Sequence, residues 1–124
     1  MTPILTKSHA FAAAAAGNLF AIAATAGAAL AAGVSAPIIG IVDKLGVDAA
    51  TMGDVHHLGA YQVKAGGTIA AGDPLTSDSN GQAVKAVVTN STVVWVGAIA
   101  LEAGVSGDLV RCLIVQTTLS KPSA

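Results

Sequence analysis

Histidine, cysteine and carboxylate residues are few enough in this 124-residue chain to be weighed one at a time. His56 and His57 are adjacent. Neighbouring side chains of a strand point to opposite faces, so these two cannot chelate one metal ion together. Surface or interface positions are expected for both. Cys112 alternates with Val110 and Ile114, which sets it in an apolar layer where a thiol is inert. Glu102, the one glutamate, precedes Ala103-Gly104 in a loop and has no evident acid–base partner. Asp78 and Asn80 beside Gly81 look like half of a calcium loop, but the spacing does not continue to the twelve-residue form. Three Gly-Asp pairs, Gly53-Asp54, Gly72-Asp73 and Gly107-Asp108, each join a flexible residue to an Asx-type turn residue. They are expected to be turns that lead into strands. Trp95, inside the run Val93 to Val96, is expected to anchor the core, with an intersubunit contact as the alternative. There is no Gly-rich phosphate loop, dinucleotide fingerprint or Gly-x-Ser-x-Gly elbow. No catalytic residue, metal or cofactor is expected, and the chain does not read as an enzyme.

The elements that would position these residues read mostly as strands. Ile38 to Val42 is a β-branched run closed by the turn-like Asp43-Lys44-Leu45-Gly46. Val55 to Leu58 and Ala60 to Lys64 follow as two strands separated by Gly59. The stretch from Thr76 to Gly81 is the strongest turn signal, because Asn80-Gly81 tolerates positive φ at both central positions. A hairpin is expected there, leading into Gln82 to Val88. Thr92 to Ile99 and Leu109 to Leu119 are the two best strands, rich in Val, Ile and Thr. Helical character is confined to the Ala-rich start and a short turn near Val47 to Met52.

Composition narrows the function classes. Hydrophobic residues make up 53% and charged residues only 10%, against roughly 25% charged in an average soluble domain. Such a chain is not intrinsically disordered. Six cations against seven anions leave no basic field for nucleic acid. The single cysteine forbids an intrachain disulfide. With so little charge, much of the surface is expected to meet lipid or other protein. The lipid reading rests on the segment between Lys7 and Asp43, which carries no charge and is dominated by alanine. Against it, alanine is a weak lipid-seeker, and Gly17, Asn18, Gly27, Gly33 and Pro37 punctuate the run as turns between strands do. A small membrane-anchored or exported β-protein is the alternative reading; a ligand-binding barrel ranks last, for want of convergent polar residues.

The stretch from Ile38 to Val115 resembles the small capsid cement, or head decoration, proteins of tailed phages. The resemblance is carried by Ile39-Gly40-Ile41-Val42-Asp43-Lys44-Leu45-Gly46, Met52-Gly53-Asp54-Val55 and Val63-Lys64-Ala65-Gly66-Gly67-Thr68-Ile69. It continues through Ala71-Gly72-Asp73-Pro74-Leu75-Thr76-Ser77-Asp78, Gly81-Gln82-Ala83-Val84, Gly97-Ala98-Ile99-Ala100-Leu101-Glu102 and Gly107-Asp108-Leu109-Val110. The Ala-rich run and the His56-His57 pair depart from the family. The resemblance implies a mainly β, single compact domain, a small β-barrel or β-tulip with an extended N-terminal arm. The arm would span residues 1–9, the β-rich domain 10–119 and a polar tail 120–124. It further implies a role like that of the lambda-type decoration proteins: a virion protein made in the host cytoplasm and placed on the outer capsid surface. The arm, Thr2, Pro3, Ile4, Leu5, Thr6, Lys7, Ser8 and His9, would add to an exposed strand edge of the major capsid protein. Self-association as a trimer, or a dimer, would let one particle grip several subunits. Neither nucleic acid nor membrane would be a partner.

Overall fold

A computed structural model describes residues 3–25, 27–33, 37–88 and 93–120. Nine strands and no helix occur among them: β1 (Pro3–Phe11), β2 (Phe20–Ala24), β3 (Gly27–Leu30), β4 (Ile38–Val42), β5 (Thr51–Lys64), β6 (Pro74–Ser77), β7 (Ala83–Lys85), β8 (Val93–Ala100) and β9 (Leu109–Ser120). Their order is β1-β3-β2-β4-β5-β9-β8-β6-β7, and an additional β1–β5 pairing closes the first five into a barrel. Closure uses one edge of β1, while its other edge meets β3 only at Phe11↔Ala28 and β7 ends the sheet. Phe11, Ala15, Ala21, Ala28, Val42 and Val55 form one core cluster. Phe20, Ile38, Ile41, Val63, Ile69, Leu75, Val110 and Cys112 belong to a larger one, built by β4 and β5 with the strands beyond the barrel.

The all-β expectation holds, and the reason is visible in β5. Two strands were expected on either side of Gly59; a single strand runs through it and changes partner there. Residues up to Gly59 pair with β1, and residues from Gly59 onward pair with β9. Gly59 has φ +98, a conformation that glycine adopts without steric cost. Strands β4, β8 and β9 lie where the β-branched runs place them. In β9, Val110, Cys112 and Ile114 are buried while Leu109, Arg111 and Leu113 are exposed, the period-2 alternation of a half-covered strand.

Several expectations are corrected. The Ala-rich run supplies β2 and β3, as its turn-like punctuation indicated and against its helical character, and no helix among the described residues is long and apolar enough to cross a membrane. Tertiary pairing overrides alanine's helix preference, which is a weak prior. The short turn expected near Val47 to Met52 is present but not helical: Val47 bridges to Ala15, the chain turns at Ala49 and Ala50, and β5 begins at Thr51. Pro3 to His9, expected as a leading arm, lie in β1, whose pairing with β5 closes the barrel. Thr2 and residues 121–124 lie outside the described residues. Trp95 is half-buried and lies between the buried Val94 and Val96, so it is not a core anchor.

The three Gly-Asp pairs divide two against one. In Ala70–Asp73 and Val105–Asp108 the geometry is the same. The aspartate carboxylate accepts from the first residue's N–H (2.9 and 3.0 Å), and its own N–H donates back to that residue's carbonyl (3.1 and 3.0 Å). Gly72 (φ +88) and Gly107 (φ +94) supply the positive φ at the third position. The two turns sit in reciprocal settings. Gly72 N–H and Asp73 carbonyl bond Ala100 as Gly107 N–H and Asp108 carbonyl bond Ala65, with Ile69 and Gly104 bonding each other between them. Gly53-Asp54 is not a turn; both residues lie inside β5. A Cβ on Gly53 would stand 2.6 Å from Val47 Cβ, so this glycine permits close packing, not a bend. The hairpin at Asn80-Gly81 exists, pairing β6 with β7 in register Thr76↔Val84. Only Gly81 takes positive φ (+79). Asp78 accepts from the N–H groups of Asn80 (2.8 Å) and Gln82 (3.0 Å), which shapes the loop.

Candidate functional site

The residues with chemical potential converge on the seam between β1 and β5, where the barrel closes. His56 and His57 face opposite sides of β5, as their adjacency requires, and each meets a residue of β1.

On the first side, Thr6 lies opposite His56 in the register. Thr6 Oγ1 is 2.7 Å from His56 Nδ1, and His56 Nε2 is 2.9 Å from Asp43 Oδ1. The Asp43 carboxylate only accepts, so His56 donates from Nε2, and in the neutral ring Nδ1 accepts a hydrogen bond from the Thr6 hydroxyl. Tyr61 donates to the same carboxylate oxygen (3.3 Å), accepts from Lys44 N–H (3.0 Å) and stacks its ring on His56 at 4.1 Å. Leu45 N–H closes an Asx turn on Asp43 Oδ2 (3.0 Å). Burial pushes the Asp43 carboxyl up, but the Leu45 N–H, the His56 bond and charge, and the Tyr61 bond outweigh it and hold it below the usual range. Burial, then the Asp43 charge, pushes the Tyr61 hydroxyl up.

Hydroxyl, imidazole and carboxylate stand here in the order of a nucleophilic relay. The adjoining cleft, about 570 Å³, is lined by Asn18, Asp43, Lys44, His56, Tyr61 and Arg111 but not by Thr6. The hydroxyl end of the relay therefore faces away from the space a substrate would fill. His56 is buried although it was expected at a surface or interface. The network works as a buckle that fastens β1 and the 43–46 turn to β5.

On the second side, His57 Nδ1 is 2.7 Å from the Ile39 carbonyl and therefore donates to it. In neutral His57 this leaves a lone pair on Nε2, which stands 2.9 Å from His9 Nε2 with the rings edge to face. Gln116 of β9 donates to the carbonyls of Ile39 (3.0 Å) and His57 (2.7 Å), tying three strands around the ring. Burial, then the neighbouring His57 and Lys7, hold the His9 imidazole below its ordinary value. An apolar groove of about 520 Å³ opens over this pair, lined by Leu5, Ala23, Ile39 and Leu58. Leu5 and Leu58 are 37% and 43% exposed, so an apolar ridge flanks the barrel seam.

Of the other residues singled out, Cys112 is buried and its thiol is pushed up to about 12 by burial, as an inert position requires. Glu102 is not partnerless: its carboxylate meets Arg111 Nε (3.3 Å) and accepts the Arg111 backbone N–H (2.9 Å). Asp54 accepts from Ser8 Oγ (2.8 Å), a third side-chain bond between β1 and β5. Sequence reasoning missed Thr6, Asp43, His56 and Tyr61 as one network. Their one legible signal was the turn-like Asp43-Lys44-Leu45-Gly46.

Comparison with known proteins adds a fold relative. The structure matches the crystal structure of the head fiber gp8.5 N base of bacteriophage phi29, with TM-score 0.68 and 24% sequence identity. The match covers 93% of this chain and 97% of that one. The two share a fold. No protein-family model and no curated protein matches the sequence.

Proposed function

We propose that this chain is a structural protein of a phage virion that binds the outside of the head. The observation that carries the reading is the end-to-end likeness to a head fiber base, which spans 93% of the chain. Composition supports it. A surface poor in charge suits burial against other protein, and the exposed Leu5, Met52 and Leu58 concentrate apolar area along β1 and β5. In this reading the β1 face meets the major capsid protein and staples neighbouring subunits against internal DNA pressure. The edge of β1 toward β5 is already used in closing the barrel, so attachment uses the exposed side chains and the outer edge of β1, which pairs with β3 only at Phe11↔Ala28. Self-association as a trimer, or a dimer, multiplies modest single contacts.

Co-sedimentation with expanded heads tests this. The paired substitution Leu5→Asp and Leu58→Asp, both at exposed positions, is expected to leave the fold intact and reduce pelleting with heads at least tenfold, about 1.4 kcal/mol or more. Binding undiminished in that variant would remove the β1 face from the interface. A wild-type chain that never pellets with heads would remove the reading altogether.

A further inference from the structure

We infer that His9 and His57 form a two-imidazole site for a divalent transition-metal ion of the copper or nickel class, which clamps β1 to β5. The two residues are 48 positions apart and meet only because the barrel closes between them. Three features make the pair a ligand set. First, the His57 ring is oriented from behind: Nδ1 donates to the Ile39 carbonyl, itself held by Gln116, so Nε2 points outward as a base. Metal-binding histidines are oriented in this way, by a carbonyl or carboxylate on the far nitrogen. Second, His9 can carry its proton on either nitrogen; with the proton on Nδ1, both Nε2 lone pairs serve one ion and neither neutral ring has to lose a proton. Third, the separation, which without an ion is that of an N–H···N hydrogen bond between the two rings, also admits one. Metal–imidazole bonds run about 2.0–2.1 Å, so two nitrogens at a right angle stand about 2.9 Å apart, and two at a tetrahedral angle about 3.3 Å. The observed Nε2–Nε2 distance is 2.9 Å. It fits two neighbouring corners of the tetragonal arrangement that copper(II) and nickel(II) prefer, with the remaining corners left to water or an outside donor.

His56 takes no part, since both its nitrogens are engaged by Thr6 and Asp43. No group of three or more His, Cys, Asp or Glu that could hold a metal occurs among the described residues, so the ion would be held by two side chains and remain exchangeable. The unfolded chain does not hold the two imidazoles together, so an ion bound here stabilises the folded state by mass action. The inference is independent of the capsid reading.

The experiment uses the untagged full-length chain with copper(II), nickel(II) or magnesium. Copper and nickel are expected to raise the melting temperature with saturation at one ion per chain, and magnesium to do nothing. Electron paramagnetic resonance of the copper form is expected to show coupling to two imidazole nitrogens. His9→Gln and His57→Gln are each expected to abolish both signatures. Absence of a thermal shift, persistence of the shift in either variant, or coupling to fewer than two imidazoles in the wild type would overturn the site. The spectroscopic readout on the wild type decides the matter even if a variant folds poorly.

Discussion

Asp43 is the residue on which most of the first network depends: its carboxylate accepts from His56, Tyr61 and the Leu45 N–H. Because these partners lower its folded value below the ordinary 3.8, the unfolded chain takes up a proton more readily than the folded one. Stability from this group is therefore complete well above pH 3.8 and drains away as pH falls through the lower folded value. Urea titrations of wild type and Asp43→Asn should show the wild type more stable at neutral pH, with the gap narrowing as the carboxylate protonates. A gap that persists unchanged in acid would show that shape, not charge, matters at this position.

Strand β5 is the element that organises the molecule. It closes the barrel against β1, carries both histidines and hands its pairing to β9 at Gly59. Two glycines from the same dipeptide illustrate how context sets cost. Gly53 packs against Val47, whereas Gly72 has open space where a Cβ would stand but holds φ +88. Asparagine tolerates left-handed backbone. Gly72→Asn should therefore cost about 1 kcal/mol or less, while Gly53→Asn, which overpacks the strand, should cost about 3 kcal/mol. Denaturant midpoints measure both, and equal losses would contradict the assignment of one glycine to a turn and the other to packing. The paired turns at Gly72-Asp73 and Gly107-Asp108 were legible as turns, since both carry the flexible residue and the Asx cap. The failure at Gly53-Asp54 has a physical cause: the same two residue types also suit a crowded strand whose neighbour lies too near for a side chain.

At the scale of the whole molecule, the accessible surface is 6088 Å², close to the roughly 6,000 Å² that a folded monomer of this mass exposes. The surface is ordinary in extent and unusual in what covers it. Leu45, Met52, Val87, Val93, Leu101 and Val105 are each more than half exposed, while charged residues make up only 10% of the chain. A chain of this kind is expected to bury part of that surface against copies of itself. Light scattering on size-exclusion chromatography, without detergent, should give a mass of three chains, or two. A lone monomer at all concentrations would leave attachment to rest on single contacts, without the gain from multivalency.

Much of the architecture was written in the sequence. Period-2 alternation in Val110 to Ile114, β-branched runs in β4, β8 and β9, and capped Gly-Asp turns determine an all-β chain, because side-chain period and turn chemistry are local properties. What only the tertiary structure decided is the closure of the barrel by β1. It brings Thr6 to His56 and His9 to His57 across roughly fifty residues, and no local pattern records which distant strand will complete a ring. Alanine's helix preference is a weak prior and left the first third undetermined, until pairing with β4 and β1 made strands of it.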